Sequence, residues 1–285
     1  MTNQSIAAAI AYRPMNEDHL PAAHALSQAV RWPHRLEDWR FAHRLATGFV
    51  AEQDGAVIGT ALCWRQGERH GSLGLIIVSP QHQGMGMGRK LMHLVLEALG
   101  GRRALLHATA AGQPLYESLG FAATGAVHQH QGVMAAVAPV VPPGERVRPA
   151  GPDDLAKMIA LANRATGMAR DAVLTELVGV GEGVVLERDG DIVGFSLLRR
   201  FGRGQVIGPV VASDGDRAKA LIAYWSGTQA GAFVRVDVTG DSGLGAWLAE
   251  AGLAQVDTVV AMARNGAPPR DEVVRQFAIV NQALG

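Results

Sequence analysis

The chain of 285 residues contains very little cysteine: Cys63 is the only one. A single cysteine excludes an internal disulfide and a cysteine-rich zinc site. Its neighbours Leu62 and Trp64 favour a small buried side chain over a nucleophile. The sequence also lacks an apolar run of the roughly 18 residues that a membrane-spanning helix needs. The longest apolar stretch, at 133–141, is interrupted by Pro139.

Net charge is absent as well. Lys and Arg together number 26, as do Asp and Glu, so the formal net charge at pH 7 is zero. Aromatic residues make up only 5% of the chain. Nucleic-acid-binding proteins normally carry a basic excess or aromatic stacking positions, so we expect no nucleic-acid partner. The apolar stretch at 6–10 follows no Lys or Arg, which argues against a signal peptide. We therefore expect a cytoplasmic protein without a membrane partner.

An internal repeat organises the chain. Arg13 matches Arg148, and Asp54 matches Asp189, each pair lying 135 residues apart within similar local sequence. Because several such matches keep one register, we interpret the chain as two copies of one module. The predicted organisation is a first domain at 1–132, a Pro-rich linker at 133–145, a second domain at 146–266 and a C-terminal helix at 267–285.

Hydrophobic periodicity predicts the element order β-α-α-β-β-β-α-β-α-β for the first copy. The expected fold class is therefore α/β, with each copy forming a mixed, mostly antiparallel sheet flanked by helices. Apolar Val273, Val274 and Phe277 lie at helical spacing near the end of the chain, which is the basis for the C-terminal helix.

The most informative segment runs from Val78 to Leu91 and reads as a strand, a glycine loop and a helix. Gly84, Gly86 and Gly88 alternate along the loop. Such a loop brings backbone N–H groups close to an anion, and the helix dipole favours negative charge at the same place. A flexible turn is the simpler interpretation of this motif. A dinucleotide-binding loop is disfavoured, because four strands precede it and the next strand carries no acidic residue.

The motif Val-x-Pro-x-x-Gln-Gly-x-Gly-x-Gly begins at Val78, and Leu-Tyr-Glu-Ser-Leu-Gly-Phe begins at Leu115. Together they resemble the GNAT superfamily of N-acetyltransferases over residues 12–132. The doubled chain resembles a tandem type in which the second copy is degenerate. The resemblance implies acetyl-CoA as the acyl donor, direct transfer to an amine, and no metal. It also implies that Tyr116 lies beside the sulfur and protonates the leaving thiolate.

The resemblance further implies which residues bind acetyl-CoA. The loop amides would hold the pyrophosphate, and the preceding strand would pair with the pantetheine arm and polarise the thioester carbonyl. Thr109 stands where relatives often have Asn. The implied cofactor-binding residues are Ile76, Ile77, Val78, Gln83, Gly84, Met85, Gly86, Met87, Gly88, Arg89, Thr109 and Tyr116.

An acceptor amine has a pKa of about 10, so a base or a water relay must remove its proton. The sequence offers several candidates without choosing among them, and each also reads as a surface or core residue. Two histidines at alternate positions of one strand, His128 and His130, are too few ligands for a metal site. The substrate-site candidates are Trp32, His34, Asp38, Trp39, Glu68 and His70.

The second copy has lost these features. Its loop at 213–217 keeps one glycine and gains two aspartates, and Leu248 stands at the position of Tyr116. We expect the first copy to be the enzyme. For the second copy three roles remain open: a wall of the acceptor site, a substitute for a dimer partner, or a binding site for a regulator.

The leading hypothesis is an acetyl-CoA-dependent N-acetyltransferase acting on a small-molecule or protein amine, as a monomer or homodimer. The alternative is an acyl-CoA sensor or scaffold without turnover. The glycine loop is common to both, so thiol release across a panel of amines is what separates them.

Overall fold

The computed structural model describes residues 9–285. Most of the apolar stretch at 6–10 and the start of the predicted first domain lie outside them. Residue contacts divide the chain into two compact units. The first contains the chain up to Trp64 together with Leu73–Gly101, and the second contains Arg65–Ser72 together with Arg102–Gly285. Each unit is described by itself below.

The first unit holds most of the first copy. Strands β1, β2 and β3 are antiparallel neighbours, and β4 follows β3 in the sheet order. The hairpin between β2 and β3 turns at Asp54 and Gly55, whose φ angles of 51° and 75° suit a two-residue turn of the primed type. The elements are β1 (Ala11–Pro14), α1 (Leu20–Ala29), α2 (Leu36–Arg44), β2 (Thr47–Gln53), β3 (Ala56–Gln66), β4 (His70–Val78) and α3 (Met87–Leu99).

The second unit completes the first copy and contains all of the second. Both copies show the predicted order of strands and helices, so the α/β prediction and the repeat are confirmed. The elements are β5 (Arg103–Ala108), α4 (Gln113–Ser118), β6 (Ala122–Val133), β7 (Glu145–Pro149), α5 (Leu155–Thr166), α6 (Asp171–Val178), β8 (Gly181–Arg188), β9 (Asp191–Phe201), β10 (Gly204–Ala212), α7 (Gly215–Gln229), β11 (Phe233–Thr239), α8 (Gly245–Glu250), β12 (Ala254–Arg264) and β13 (Arg275–Ala278).

The copies exchange their sixth strands. β12, the last strand of the second copy, pairs with β5 and β6 of the first, whereas β6 pairs on its other side with β11 of the second. All three pairings are antiparallel. At their centre Val127, Val259 and Ile279 form a buried apolar cluster. The fifth strand of each copy therefore has an antiparallel partner in the other copy.

The second unit also contains the start of β4. His70, Gly71 and Ser72 pair in parallel with Arg103–Leu105 of β5. In the second copy, β10 and β11 make the equivalent parallel pairing over only two positions, Gln205 with Val234 and Val206 with Arg235.

β13 fills the opening that follows this short pairing. Its Ala278 pairs with both Val210 of β10 and Val238 of β11, so the strand lies between them. The N–H of Ile279 continues the pattern by donating to the carbonyl of Asp237 at 2.9 Å. Gly208 fits against this segment because a Cβ there would approach the carbonyl oxygen of Ile279 to 2.1 Å.

The predicted C-terminal helix is therefore wrong. The carboxylate of Asp271 accepts hydrogen bonds from the N–H groups of Val273 and Val274, which forms a turn, and a strand follows. Of the three apolar residues behind the helix prediction, Val274 and Phe277 are buried and Val273 is 61% exposed. Strand pairing to β10 and β11 satisfies the backbone, and a periodicity argument cannot detect these distant partners.

The segment between β6 and β7 is an ordered connection. Met134 donates its N–H to Ala232 and accepts from Gly231, and Ala135 donates to Ala251, each at 2.9 Å. The domain boundaries drawn from the sequence stay a prediction. Over the described residues, we find no helix with the length and apolar character to cross a membrane.

Candidate active site

The glycine loop of the first unit is anchored at both ends. The N–H of Ser79 donates to the carbonyl of Ile58 at 2.8 Å, and the amide of Gln83 donates to the carbonyl of Val78 at 3.2 Å. The N–H of His82 closes a short turn onto Ser79 at 2.8 Å. The loop therefore leaves β4 along a fixed path before α3 begins.

Gly84 and Gly86 give the loop its form. Their φ angles are 80° and 77°, a left-handed conformation that other residues adopt at a cost, and a Cβ on either would meet open space. The N–H of Lys90 donates back to Gly86, which opens α3. Amides in the first turn of a helix have no intrahelical acceptor and bind anions. The open glycine surface and these amides together suit a diphosphate.

The other loop residues that the sequence predicts to bind acetyl-CoA differ in their exposure. Gln83 and Arg89 are exposed, Gly88 is half-buried, and Met85 is 63% exposed. The side chain of Met87 is buried beneath the loop, where its sulfur lies 2.9 Å from the place that a Cβ on Gly59 would take. Only the main chain of Met87 is therefore available to a ligand.

β4 is irregular where it approaches the loop. Leu75 has a φ of 51°, a left-handed conformation that costs a side-chain-bearing residue about 1–3 kcal/mol. The hydroxyl of Thr60 donates to its carbonyl at 2.8 Å and helps to hold it. Ile77 is buried, whereas Ile76 and Val78 are half-buried. The break in pleating lies just before the residues predicted to bind the pantetheine arm.

Tyr116 lies on the short helix α4 of the second unit. Only 8% of the residue is exposed, and its ring meets Phe121 edge-on at 6.2 Å. Burial raises the pKa of the Tyr116 hydroxyl to about 12. A Cβ at Gly112 would lie 2.9 Å from the ring, so glycine is needed there for the ring to lie against the helix start. The hydroxyl of Thr109 accepts the N–H of Gly112 at 3.3 Å.

Four acceptor-site candidates lie in the first unit, where His34 lies between two indole rings. The ring centroids of His34 and Trp32 are 5.8 Å apart, and those of His34 and Trp39 are 6.5 Å apart. Trp39 is fully buried and donates to Ser27 at 3.2 Å. The carboxylate of Asp38 accepts from the guanidinium of Arg35 at 2.7 Å and from its N–H at 2.9 Å. Base catalysis by Asp38 would compete with these bonds.

Glu68 and His70 of the second unit line one open cavity of about 640 Å³. Glu68 is exposed on a turn, and His70 is 3% exposed at the start of β4. Burial, with the charges of Arg103 and Arg69, lowers the pKa of His70. The two residues predicted from the β3–β4 connection are thus brought together.

A larger cavity of about 820 Å³ lies in the second unit, and no sequence pattern indicated it. The exchanged strands β6 and β12 form part of its walls together with β5, the end of α5, β13 and the residues on either side of β13. Its lining includes Leu105, His107, His128, Met262, Ile279 and Leu284. We call it the exchange cavity. His107, which the sequence analysis did not single out, contributes an imidazole to it.

The two histidines considered as metal ligands serve structural contacts. Nδ1 of His128 lies 2.9 Å from the hydroxyl of Thr258, and Nδ1 of His130 lies 3.0 Å from the carbonyl of Leu253. Within residues 9–285, no group of three or more His, Cys, Asp or Glu side chains is arranged to hold a metal ion.

The equivalent loop in the second copy is organised around ion pairs. The carboxylate of Asp214 caps α7 by accepting the N–H of Arg217 at 3.0 Å, and the Arg217 guanidinium pairs with Glu145 and Asp214. Leu248, at the position of Tyr116, is fully buried. This copy's version of the site has neither the glycine-rich loop nor a tyrosine at the position of Tyr116.

Comparison with known proteins finds a GNAT match in each copy. Residues 12–121 match the acetyltransferase (GNAT) family, and residues 158–278 match an acetyltransferase (GNAT) domain. The chain is 26% identical over 220 residues to the uncharacterized N-acetyltransferase YitH of Bacillus subtilis, covering 75% of this chain and 76% of that protein.

Solved structures share the fold along nearly the whole chain. A crystal structure from Pyrococcus horikoshii is 17% identical with a TM-score of 0.78, covering 100% of this chain and 99% of that one. A GCN5-related N-acetyltransferase from Sphaerobacter thermophilus is 17% identical, with a TM-score of 0.68 and coverage of 92% and 97%. A tandem GNAT protein from the clavulanic acid biosynthesis pathway is 14% identical, with a TM-score of 0.64 and coverage of 92% and 100%. With a GNAT match in each copy, the chain belongs to the GNAT acetyltransferases and carries two GNAT domains in tandem.

Proposed function

We propose that the protein is an acetyl-CoA-dependent N-acetyltransferase that moves an acetyl group directly to a primary amine of a small molecule or a protein. The glycine loop carries the proposal, because Gly84 and Gly86 hold left-handed conformations where the loop enters α3 and leave open space over the amides. Only the first copy keeps this loop in a chain with two GNAT domains. Cytoplasmic location and a chain working as monomer or homodimer belong to the same proposal.

The loop residues 83–88 would bind the diphosphate of acetyl-CoA through main-chain amides. The backbone of Ile76, Ile77 and Val78, following the break at Leu75, would hydrogen-bond the pantetheine arm as an added strand would. An amide at the end of β4 would polarise the thioester carbonyl. Acetyl-CoA supplies the activated acetyl group when bound, so the chain needs no nucleophile of its own.

Tyr116 would act at the sulfur. With a pKa of about 12, its hydroxyl keeps its proton throughout the neutral range. A thiol has a pKa of about 8.5, so the phenol is the weaker acid and complete proton transfer from it to the thiolate is unfavourable. It would instead donate a hydrogen bond to the sulfur while the C–S bond breaks. That bond strengthens as negative charge develops, which is what lowers a barrier.

Calorimetric titration with acetyl-CoA, followed by thiol release across a panel of primary amines, tests the proposal. We expect binding together with amine-dependent thiol release. The Gly86→Asp variant should lose binding, because a carboxylate would face the diphosphate. Gly55→Asp is the matched control, since Gly55 has a φ of 75° and equally open surroundings. Absence of binding would refute the proposal, and binding without release from any amine would favour a sensor.

A further inference from the structure

The exchange cavity has the size and lining of a small-molecule site. Its volume of about 820 Å³ lies within the range of ligand pockets, which is roughly 300–1,000 Å³. Leu105, Val127, Met262 and Ile279 make its walls largely apolar. Ligand sites combine such walls with a few polar groups that fix orientation. His107 is one of these groups.

The hydrogen bond made by His107 fixes its tautomer. Nδ1 of His107 lies 2.8 Å from the carbonyl oxygen of Gln282. A carbonyl oxygen only accepts, so Nδ1 carries the proton and donates. In the neutral ring Nε2 is then left with a lone pair. The ring therefore presents a proton acceptor opposite the edge that Gln282 holds.

The charge state agrees with this assignment. Burial lowers the pKa of His107, against the opposing effects of the Gln282 hydrogen bond and the Asp237 carboxylate, so the ring is neutral at pH 7. Asp237 is itself held by Arg235 at 2.6 Å. The other titratable groups on the cavity walls are His128, Asp241, Arg270, Asp271 and Arg275. Nδ1 of His128 meets Thr258, Asp241 pairs with Arg270 and Arg275, and Asp271 pairs with Arg164.

His70 differs from His107 in the accessibility of its Nε2. Its Nε2 is buried and has no hydrogen-bond partner within the described part of the chain. Although His70 lines the smaller cavity, its buried Nε2 is not open to a substrate. His107, in contrast, lines the larger cavity and has its Nδ1 occupied. Between these two neutral histidines of the second unit, His107 is the one placed for proton transfer.

We propose that the exchange cavity binds the acceptor and that His107 is its general base, an inference that rests on the N-acetyltransferase function proposed above. The acceptor class is a primary monoamine with a mainly apolar body. The wall carboxylates of Asp241 and Asp271 already pair with arginines, so they do not offer the anionic sites that a polyamine needs. Apolar walls match an apolar body instead.

Nε2 of His107 takes one proton from the ammonium and passes it to solvent. The free amine then attacks the thioester carbonyl carbon, the C–N bond forms, and the C–S bond breaks. The nitrogen loses its second proton, which ends on the sulfur as the thiol. One amide, one thiol and one released proton result.

Long-range ¹H–¹⁵N NMR of the full chain tests the geometry without any reaction. The spectrum of His107→Gln identifies the His107 signals, and His93→Gln, at an exposed position of α3, is the control. We expect the Nδ1–H tautomer, neutral at pH 7, and a shift of the Nε2 signal when phenethylamine is added. An Nε2–H tautomer, a ring charged at pH 7, or an Nε2 signal unmoved by phenethylamine overturns the proposal.

Kinetics with phenethylamine and spermidine test the chemistry. We expect phenethylamine to be the better substrate and His107→Gln to lower its turnover about 100-fold or more at pH 7. The variant can use only amine that is already neutral, so its rate should rise about tenfold per pH unit towards the amine pKa of about 10. Its turnover should therefore approach that of the wild type as the pH rises. A variant with the wild-type pH profile refutes His107 as the base. If acetyl-CoA binds but no amine releases thiol, the N-acetyltransferase function fails instead.

Discussion

Tyr116 illustrates how much one residue depends on its local packing. Its hydroxyl keeps a raised pKa because the ring is buried against Phe121 and the glycine at 112. The motif around it was recognisable in the sequence, but its charge state was not, since burial decides that. The raised pKa is the reason why we propose a hydrogen-bond donor, and not a permanent proton donor, at this position.

Replacing Tyr116 with Phe removes the donor and keeps the ring. A hydrogen bond to a charged group contributes about 1.5–3 kcal/mol, so turnover should fall about 10- to 100-fold. Affinity for acetyl-CoA should change little, because the bond is strongest when the C–S bond breaks. Steady-state kinetics and calorimetry separate the two effects. Tyr224→Phe in α7 is the matched control, and equal turnover in the two variants would make Tyr116 a packing residue.

Asp38 carries a prediction about stability. Its carboxylate closes the start of α2 and pairs with Arg35, and its side chain is 3% exposed. Asp38→Asn should lower the free energy of unfolding by about 1–2 kcal/mol, because a cap and an ion pair are weakened together. Urea denaturation measures this. Glu37→Gln, whose side chain is 63% exposed, should cost less than about 0.5 kcal/mol. Equal losses would contradict the capping role.

His107 shows what a sequence cannot reveal at this scale. In the sequence it is a polar residue in the strand that becomes β5 (Arg103–Ala108), and no local spacing marks it as reactive. Its proposed role depends on Gln282, which lies 175 residues away in the chain. The glycine loop was predictable because all its parts are contiguous. A contact between residues so far apart in the chain leaves no local pattern.

At the scale of elements, the order of strands and helices was predictable from periodicity and turns. The hairpin at Asp54-Gly55 and the buried run of β4 are examples, since each is specified by neighbouring residues. The end of the chain was not, because its apolar spacing fits a helix as well as a strand. Backbone partners on β10 and β11 decide between the two, and they are far away in sequence.

Gly208 tests the packing of this terminal strand. A Cβ at Gly208 would come within 2.1 Å of the Ile279 carbonyl, so Gly208→Ala must push the segment after β13 away from β10. We expect a loss of about 1–3 kcal/mol in the free energy of unfolding, as for other overpacked sites. Gly227→Ala, at a helical position with open surroundings, should be neutral or stabilising. Chemical denaturation of both variants compares them, and an unaffected Gly208→Ala would rule out the close contact.

At the scale of the whole molecule, the exchanged strands make the two copies interdependent. Residues 1–144 alone would leave β5 without β12, and residues 145–285 alone would leave β11 without β6. Unpaired strand edges promote aggregation. We expect each part to be insoluble or poorly folded alone and a one-to-one complex to form on co-expression, as size-exclusion chromatography would show. A folded, monomeric first part would contradict this.

We expect β13 to limit the number of acyl donors that the chain binds. Because β13 belongs to the same chain, its effective concentration at the opening between β10 and β11 is of millimolar order. A free thioester has to compete with that built-in occupant, and the second copy offers it neither an open glycine loop nor a hydroxyl. Saturation should therefore stop at one acetyl-CoA per chain. In the second copy, a segment of the same chain permanently occupies the place of a ligand.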